Sequence, residues 1–597
     1  MRIPHFIHSV GLFLLTLAGL TACSPAPSRP GHLAAGEYSY AVEYLRWQIA
    51  EEMRKHKVVG LSIALVDDQT TLWSEGFGLA DRESNKAATE HTLYRTGSVS
   101  MLLTASAVMQ LVEQGEMRLD DPLSEYLPEF SVDSRFPDSG PITLRQLLTH
   151  HSGLPLAYAG GMWSEPPPPF TDLVHEIRGA PLAFAPGSVL AYSFLGYSLL
   201  GHAVQNAAGE AFATHMTNAL LRPSGMNSAR FSPYPPAGAT AAKAYAADKQ
   251  EAQQEYPLRD VPAGGLNASV LDLAAFMKML YNDGRVGDRS LLQPSSIAEM
   301  WRAQNTQVAL DMDQEIGLGW VRAGLPGAGL LLQHAGATLY HRAYVALLPE
   351  QKLGVVLLAN TGDALAPMVD IGNQAMRLLW EAKTGRRLPE QTTMAHAEVP
   401  AAYATDPEGF VGHFDTHYGF ASVRRDGDPL AVVLNGQPLT LRPKGEGRFA
   451  IEGKILGMIP AELEQATLAR AMVAGHELLL SREDDGRFVV LGERLEPVPI
   501  PQAWHARLGE YRILDAERML RDWAKTAKIR ALVRDGFLLV EVSGKHGIEQ
   551  TLVLEPVSDT RAVVRGIGTG RGGMLEVVND RGEESIRYSG LEFRREE

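Results

Sequence analysis

The run Tyr94-Arg95-Thr96-Gly97-Ser98-Val99-Ser100-Met101 opens an apolar helical pattern and carries a residue suited to covalent chemistry. A serine hydroxyl is a weak nucleophile at its own pKa, so it needs a base in reach and donors for an oxyanion. Ser98 at a helix N-terminus would have its oxygen beside free N–H groups and the positive end of the helix dipole, which favours an alkoxide. The plainer alternative is that Ser98 only caps that helix. An imidazole brought beside Ser98 would make a Ser-His dyad, against the alternative of a polar histidine lining a pocket. No Gly-x-Ser-x-Gly elbow occurs, which disfavours an α/β-hydrolase. No His-Glu-x-x-His or paired cysteine set is present, so neither a metal nor an organic cofactor is expected.

Five stretches stand in a recognisable order: 97–115; Leu147-Leu148-Thr149-His150-His151-Ser152-Gly153-Leu154-Pro155; 192–197; Pro262-Ala263-Gly264-Gly265-Leu266; and His334-Ala335-Gly336. Together they resemble the serine β-lactamase and D-alanyl-D-alanine peptidase family, in its class C-like branch with many esterases, across roughly residues 40–380. The resemblance implies an acyl-enzyme mechanism acting on β-lactams, D-alanyl peptides or small esters. It puts Ser98 at the nucleophile, Tyr192 at the general-base tyrosine, His334 at a position that is Lys or His in the family, and Ala337 beside the oxyanion strand.

Two positions depart from that pattern. The family's first motif is Ser-x-x-Lys, and three residues after Ser98 stands Met101. A Lys one turn along would reach the serine oxygen; a thioether has neither charge nor N–H. The second motif is Tyr-x-Asn, and here Phe194 replaces the Asn. The two changes belong together, because an apolar pair leaves no buried polar group unpartnered. Losing a positioned acid–base component costs about 10²–10⁴ in rate, and coupled residues fail as a unit. The favoured expectation is a catalytically degenerate member that binds a ligand or serves as an accessory protein. The rival is an active esterase or peptidase using Ser98 with Tyr192 and His334. Without the Lys, Tyr192 should keep its proton at neutral pH. His150 and His151 read as structural, Arg95 as paired with a carboxylate or packed by its stem, and Met101 and Phe194 as filling the space of the lost polar pair.

The elements that must position these groups follow from periodicity. A helix carries Val42, Leu45, Ile49 and Met53, and Val58–Val66 with 71–76 reads as a hairpin. A helix runs from near Ser98 to Gln114, and Ser269-x-x-Asp272 is a capping box opening a helix over 270–280. Strands are expected over 329–334, 340–348 and 354–360, then a helix with Met368, Ile371, Ala375 and Leu378 on one face. Residues 116–265 between them read as mainly helical. That is an α+β domain over 37–385, an antiparallel sheet with flanking helices and a helical insertion. A linker over 386–402 leads to short strands with Gly turns. There Gly412-His413-Phe414, Asp426-Gly427 and Leu439/Leu441/Pro443 match Gly509-Glu510-Tyr511, Asp535-Gly536 and Leu552/Leu554/Pro556. Two all-β, barrel-like domains are expected, 403–500 and 501–597.

The 597 residues call for two or three domains, and 45% hydrophobic with 21% charged residues is ordinary globular composition. A net charge of -15 argues against a nucleic-acid partner. Residues 1–22 read as a signal peptide, with Arg2 before an apolar run. It ends Leu20-Thr21-Ala22-Cys23, resembling the lipobox of bacterial lipoproteins, and Cys23 is the sole cysteine. Lipidation at Cys23 would place the chain on a membrane of the cell envelope, with 23–36 as tether. Ser24 in place of Asp points to the outer membrane, facing the periplasm.

Overall fold

The aliphatic run after Val58 forms the strand Gly60–Asp67, buried at every position but its last, as in a strand covered on both faces. In this computed structural model, which describes residues 25–596 apart from 32–33, 390–398, 426, 428, 456–458, 461–462, 484, 515, 545–546 and 581, that strand lies inside an eight-stranded sheet. The order is Glu315–Ile316, Val321–Leu325, Gly329–Ala337, Arg342–Leu348, Leu353–Ala359, Gly60–Asp67, Thr70–Asp81, Lys86–Ala87, antiparallel throughout. The signal peptide and Cys23 fall outside the described residues.

One face of the sheet buries Leu45 and Ile49 of the helix Ser39–His56 with Met368, Ile371 and Ala375 of the helix Leu365–Thr384. The other face carries the larger core, in which Ser100–Glu113, Phe194–Ala208 and Val270–Tyr281 are the long helices. The Ser269 box forms as expected: Ser269 Oγ accepts from Asp272 N–H at 3.2 Å and the Asp272 carboxylate accepts from Ser269 N–H at 2.9 Å. Between Glu113 and Val270 the chain is less helical than its patterns suggest. Apart from Phe194–Ala208 and the continuous run Phe212–Leu221 its helices are one or two turns long, because Pro and Gly interrupt the backbone hydrogen-bond ladder before it can propagate.

Beyond residue 400 the chain is all-β. A nine-stranded sheet spans 412–495, and Gln437–Gly445 pairs with Arg448–Ile455 to close it on itself. Residues 509–595 form a second, eight-stranded closed barrel. The internal repeat follows this topology strand by strand. Leu439 and Leu441 lie in the fourth strand of the first barrel, Leu552 and Leu554 in the fourth strand of the second. Asp535 and Gly536, both at positive φ, make the tight turn between the second barrel's second and third strands, the turn that an Asp-Gly pair favours. Its counterpart Asp426 lies outside the described residues.

The second barrel docks on the α+β domain. Trp163 N–H donates to Glu517, Tyr256 hydroxyl to Asp522, and Tyr192 N–H to the Thr569 hydroxyl at 3.1 Å. A buried ion pair, Asp415–Arg571, links the two barrels.

Candidate active site

Ser98 sits in a single 3₁₀ turn, Gly97–Val99, that feeds the helix Ser100–Glu113. It makes no side-chain cap on either segment, so the capping reading does not hold. Its side chain is buried at the junction of that helix, the strand Gly329–Ala337 and the Tyr192 segment. The approach of strand to turn is possible only because two glycines meet there. A Cβ on Gly97, whose φ is +53°, would lie 2.6 Å from Ala337 N, and one on Gly336 would lie 2.0 Å from Thr96 O.

That strand runs three residues past the expected end at His334. Its neighbour Val321–Leu325 begins pairing only at Gln333, so residues 334–337 leave one edge uncovered. Thr338 N–H donates across to His341 O at 3.0 Å. The antiparallel alternation then directs the Ala337 amide to the free edge, toward Ser98. The Ala337 amide thus points at the turn that holds Ser98, where a backbone N–H can hold a carbonyl oxygen.

Around the serine the polar machinery is thin. Met101 is fully buried. The Tyr192 hydroxyl donates to its sulfur at 3.2 Å. Tyr192 is half-buried as a residue with its hydroxyl turned inward. Burial pushes its pKa well above the ordinary phenol value, while a hydrogen bond from the Ser98 hydroxyl pulls it the other way. Phe194 presents its ring edge-on to Tyr192, centroids 5.8 Å apart. The three residues therefore form one contact set, thioether–phenol–phenyl.

His334 is buried and its pKa is pushed down to about 4 by desolvation. Its Nδ1 lies 2.7 Å from Ala335 O, so the neutral ring donates there and leaves Nε2 as acceptor. Among the described residues it makes no hydrogen bond to Ser98. The structure thus gathers Ser98, Met101, Tyr192 and Phe194, and brings His334 to the same strand edge without a bond to the serine.

Residues 46–375 match the family model Beta-lactamase. The chain belongs to the Beta-lactamase family. A D-alanyl-D-alanine-carboxypeptidase/endopeptidase, AmpH, of Escherichia coli K12 is 26% identical over 50% of this chain and 79% of its own length. Penicillin-binding protein 4 of Amycolatopsis lactamdurans is 26% identical over 56% and 88%, and esterase EstB of Burkholderia gladioli 32% identical over 30% and 49%. The crystal structure of SurE with D-Leu matches 76% of this chain and 99% of that one, with 23% identity and a TM-score of 0.53, a likeness of fold.

Three further groups shape the site of this Beta-lactamase-family domain. His150, at φ +60°, stacks on Tyr192 with centroids 4.2 Å apart, and its Nδ1 accepts from Ser193 N–H at 3.1 Å. Burial first, then the neighbouring His334 and His151, hold its pKa well below the usual histidine range, so it is neutral. It is structural in the sense expected, yet it also fixes the Tyr192 ring. His151 is structural, its Nε2 on Asp311 at 2.8 Å. Arg95 pairs with a carboxylate as expected, but that of Glu255, 160 residues on, at 2.8 Å. Glu255 also accepts from Thr338 and from Tyr340 N–H, so it pins the hairpin that carries Ala337. Finally Thr569 comes from the second barrel. A contact between residues so far apart in the chain leaves no local pattern to read.

Proposed function

We propose that the Beta-lactamase-family domain recognises a peptidoglycan-like peptide, a β-lactam or a small ester but is catalytically degenerate, serving as a binding or accessory protein. The observation that carries this reading is the Tyr192 hydroxyl spent on the Met101 sulfur. A phenol held neutral by burial accepts a hydrogen bond from Ser98, but with a thioether and Phe194 where a charged partner would stand it is too weak a base to take the serine proton. The Ala337 amide directed at the Ser98 turn supports retained recognition of a carbonyl. The names of the carboxypeptidase, penicillin-binding and esterase relatives support that ligand class. We further propose that a lipid on Cys23 holds the chain at the outer membrane, facing the periplasm. The test is hydrolysis of a p-nitrophenyl ester: no rate above that of Ser98→Ala is expected, and a rate abolished by Ser98→Ala overturns the proposal.

One observation favours the second reading, an active hydrolase with Ser98, Tyr192 and His334. His334 is neutral at physiological pH with a free Nε2 lone pair. On that reading the Ser98-dependent rate falls in His334→Gln.

A further inference from the structure

The two barrels differ in what fills them. Eight-stranded barrels are wide enough either to be packed solid by their own side chains or to hold one small ligand. The first barrel is packed: Phe410, Phe414 and Phe449 are fully buried within its core. The second is not. Tyr511, Val540, Leu552 and Phe593 pack toward its interior yet keep accessible surface although the barrel is closed. What they face is a cavity of about 770 Å³ that runs to the barrel mouth. That is well inside the range of about 300–1,000 Å³ typical of small-molecule sites.

The mouth is shaped by two elements. The short helix Arg518–Ala524 turns Met519, Leu520 and Trp523 onto the cavity, and the segment 176–181 of the α+β domain forms the opposite lip. The wall is aliphatic and aromatic. Among the described lining residues the charged groups are four arginines and two glutamates. Arg507, Arg571 and Arg587 are engaged by Glu584, Asp415 and Glu592. Arg178, exposed on the lip, has no ionic partner among the described residues. Deeper in, the Tyr588 hydroxyl makes no hydrogen bond among the described residues, and burial raises its pKa. The half-buried Tyr588 phenol thus gives the apolar wall a hydroxyl that a ligand oxygen can reach.

We propose that the second barrel binds an amphiphile, its single long acyl chain in the cavity and its anionic head at the lip by Arg178. This site adjoins the Tyr192 segment through Leu156 and Leu195, and holds whether or not Ser98 reacts. The chain is recognised by the aliphatic wall and the head by charge. A free fatty acid and a lysophospholipid share that chemistry.

The test is calorimetric titration of the full-length protein with palmitate and, separately, with palmitoyl-lysophosphatidylglycerol, read alongside Trp523 fluorescence. One-site binding of palmitate is expected, weakened at least about tenfold by Leu552→Trp, which fills the cavity. Val540→Phe, a milder filling, keeps the test readable where Leu552→Trp perturbs folding. Arg178→Glu on the surface should weaken palmitate more than hexadecanol, which has the chain without the charge. Lysophospholipid binding with the same Leu552 dependence supports the site with a lipid as its source. Its failure where palmitate binds supports the site with a free fatty acid. Absence of binding by either, or affinity indifferent to Leu552→Trp and Val540→Phe, overturns the proposal.

Discussion

Restoring a lysine alone should damage this site, and restoring lysine with its partner should damage it less. Met101 has no accessible surface and touches a phenol that also packs on the Phe194 ring. An ammonium placed there by Met101→Lys has no carboxylate or amide to receive it. Burial of that kind depresses a lysine pKa by about 3–5 from about 10.4. At pH 7 the penalty is capped by the cost of arriving deprotonated, about 4–5 kcal/mol. Adding Phe194→Asn supplies a carbonyl acceptor on the first turn of Phe194–Ala208. A hydrogen bond to a charged group recovers about 1.5–3 kcal/mol. Urea denaturation of the two single variants, the double variant and the parent closes a double-mutant cycle. The expected coupling energy is favourable and of about 1.5–3 kcal/mol. Additivity within about 0.5 kcal/mol would refute the view that positions 101 and 194 share one polar compartment through Tyr192.

The fold should also be acid-sensitive for a stated reason. His334 and His341 are each pushed down to about 4 by burial, so between about pH 4 and 6.5 the unfolded chain binds more protons. Stability present above about pH 6.5 is therefore lost as pH falls toward 4, by up to about 3 kcal/mol per histidine. Asp415, raised to about 6 by burial, works in the opposite sense over the same window. Denaturation between pH 4 and 7.5 should show a net fall, shallower in His341→Phe; a flat profile contradicts this. Glu255→Ala strands the buried Arg95 guanidinium and should cost about 3–5 kcal/mol, with Glu255→Gln milder because it keeps the acceptor for Thr338. Gly336→Ala drives a methyl into the Thr96 carbonyl. It should lower the melting temperature and expel the strand from the Ser98 turn, read as slower ligand association at the site.

Much of the α+β domain is legible because its cues are local. The capping box at Ser269, the apolar face of Leu365–Thr384 and the aliphatic strand after Val58 each declare themselves within a dozen residues. The five motifs also bring Ser98, Tyr192 and His334 to one place, and the apolar character of Met101 and Phe194 shows in the residue types themselves. The rest depends on distance. Whether His334 bonds Ser98 is decided by a ring turned toward Ala335 O, which no spacing encodes. The stacking of His150 on Tyr192, the Arg95–Glu255 pair and the reach of Thr569 into the α+β domain are all long-range. The excess of helix expected over 116–265 has a simpler cause. Apolar periodicity survives there, but Pro and Gly break the chain into turns that keep the apolar contacts without the helix.

The central claim, that Ser98 has lost its activating partner, is tested most directly by intact-mass spectrometry. The protein is exposed to a penicillin and, separately, to a fluorophosphonate, with Ser98→Ala as the control. An unshifted mass is expected, and a Ser98-dependent adduct once Met101→Lys and Phe194→Asn are both present. A stoichiometric adduct on Ser98 in the unaltered protein would contradict it and give the site to an active hydrolase.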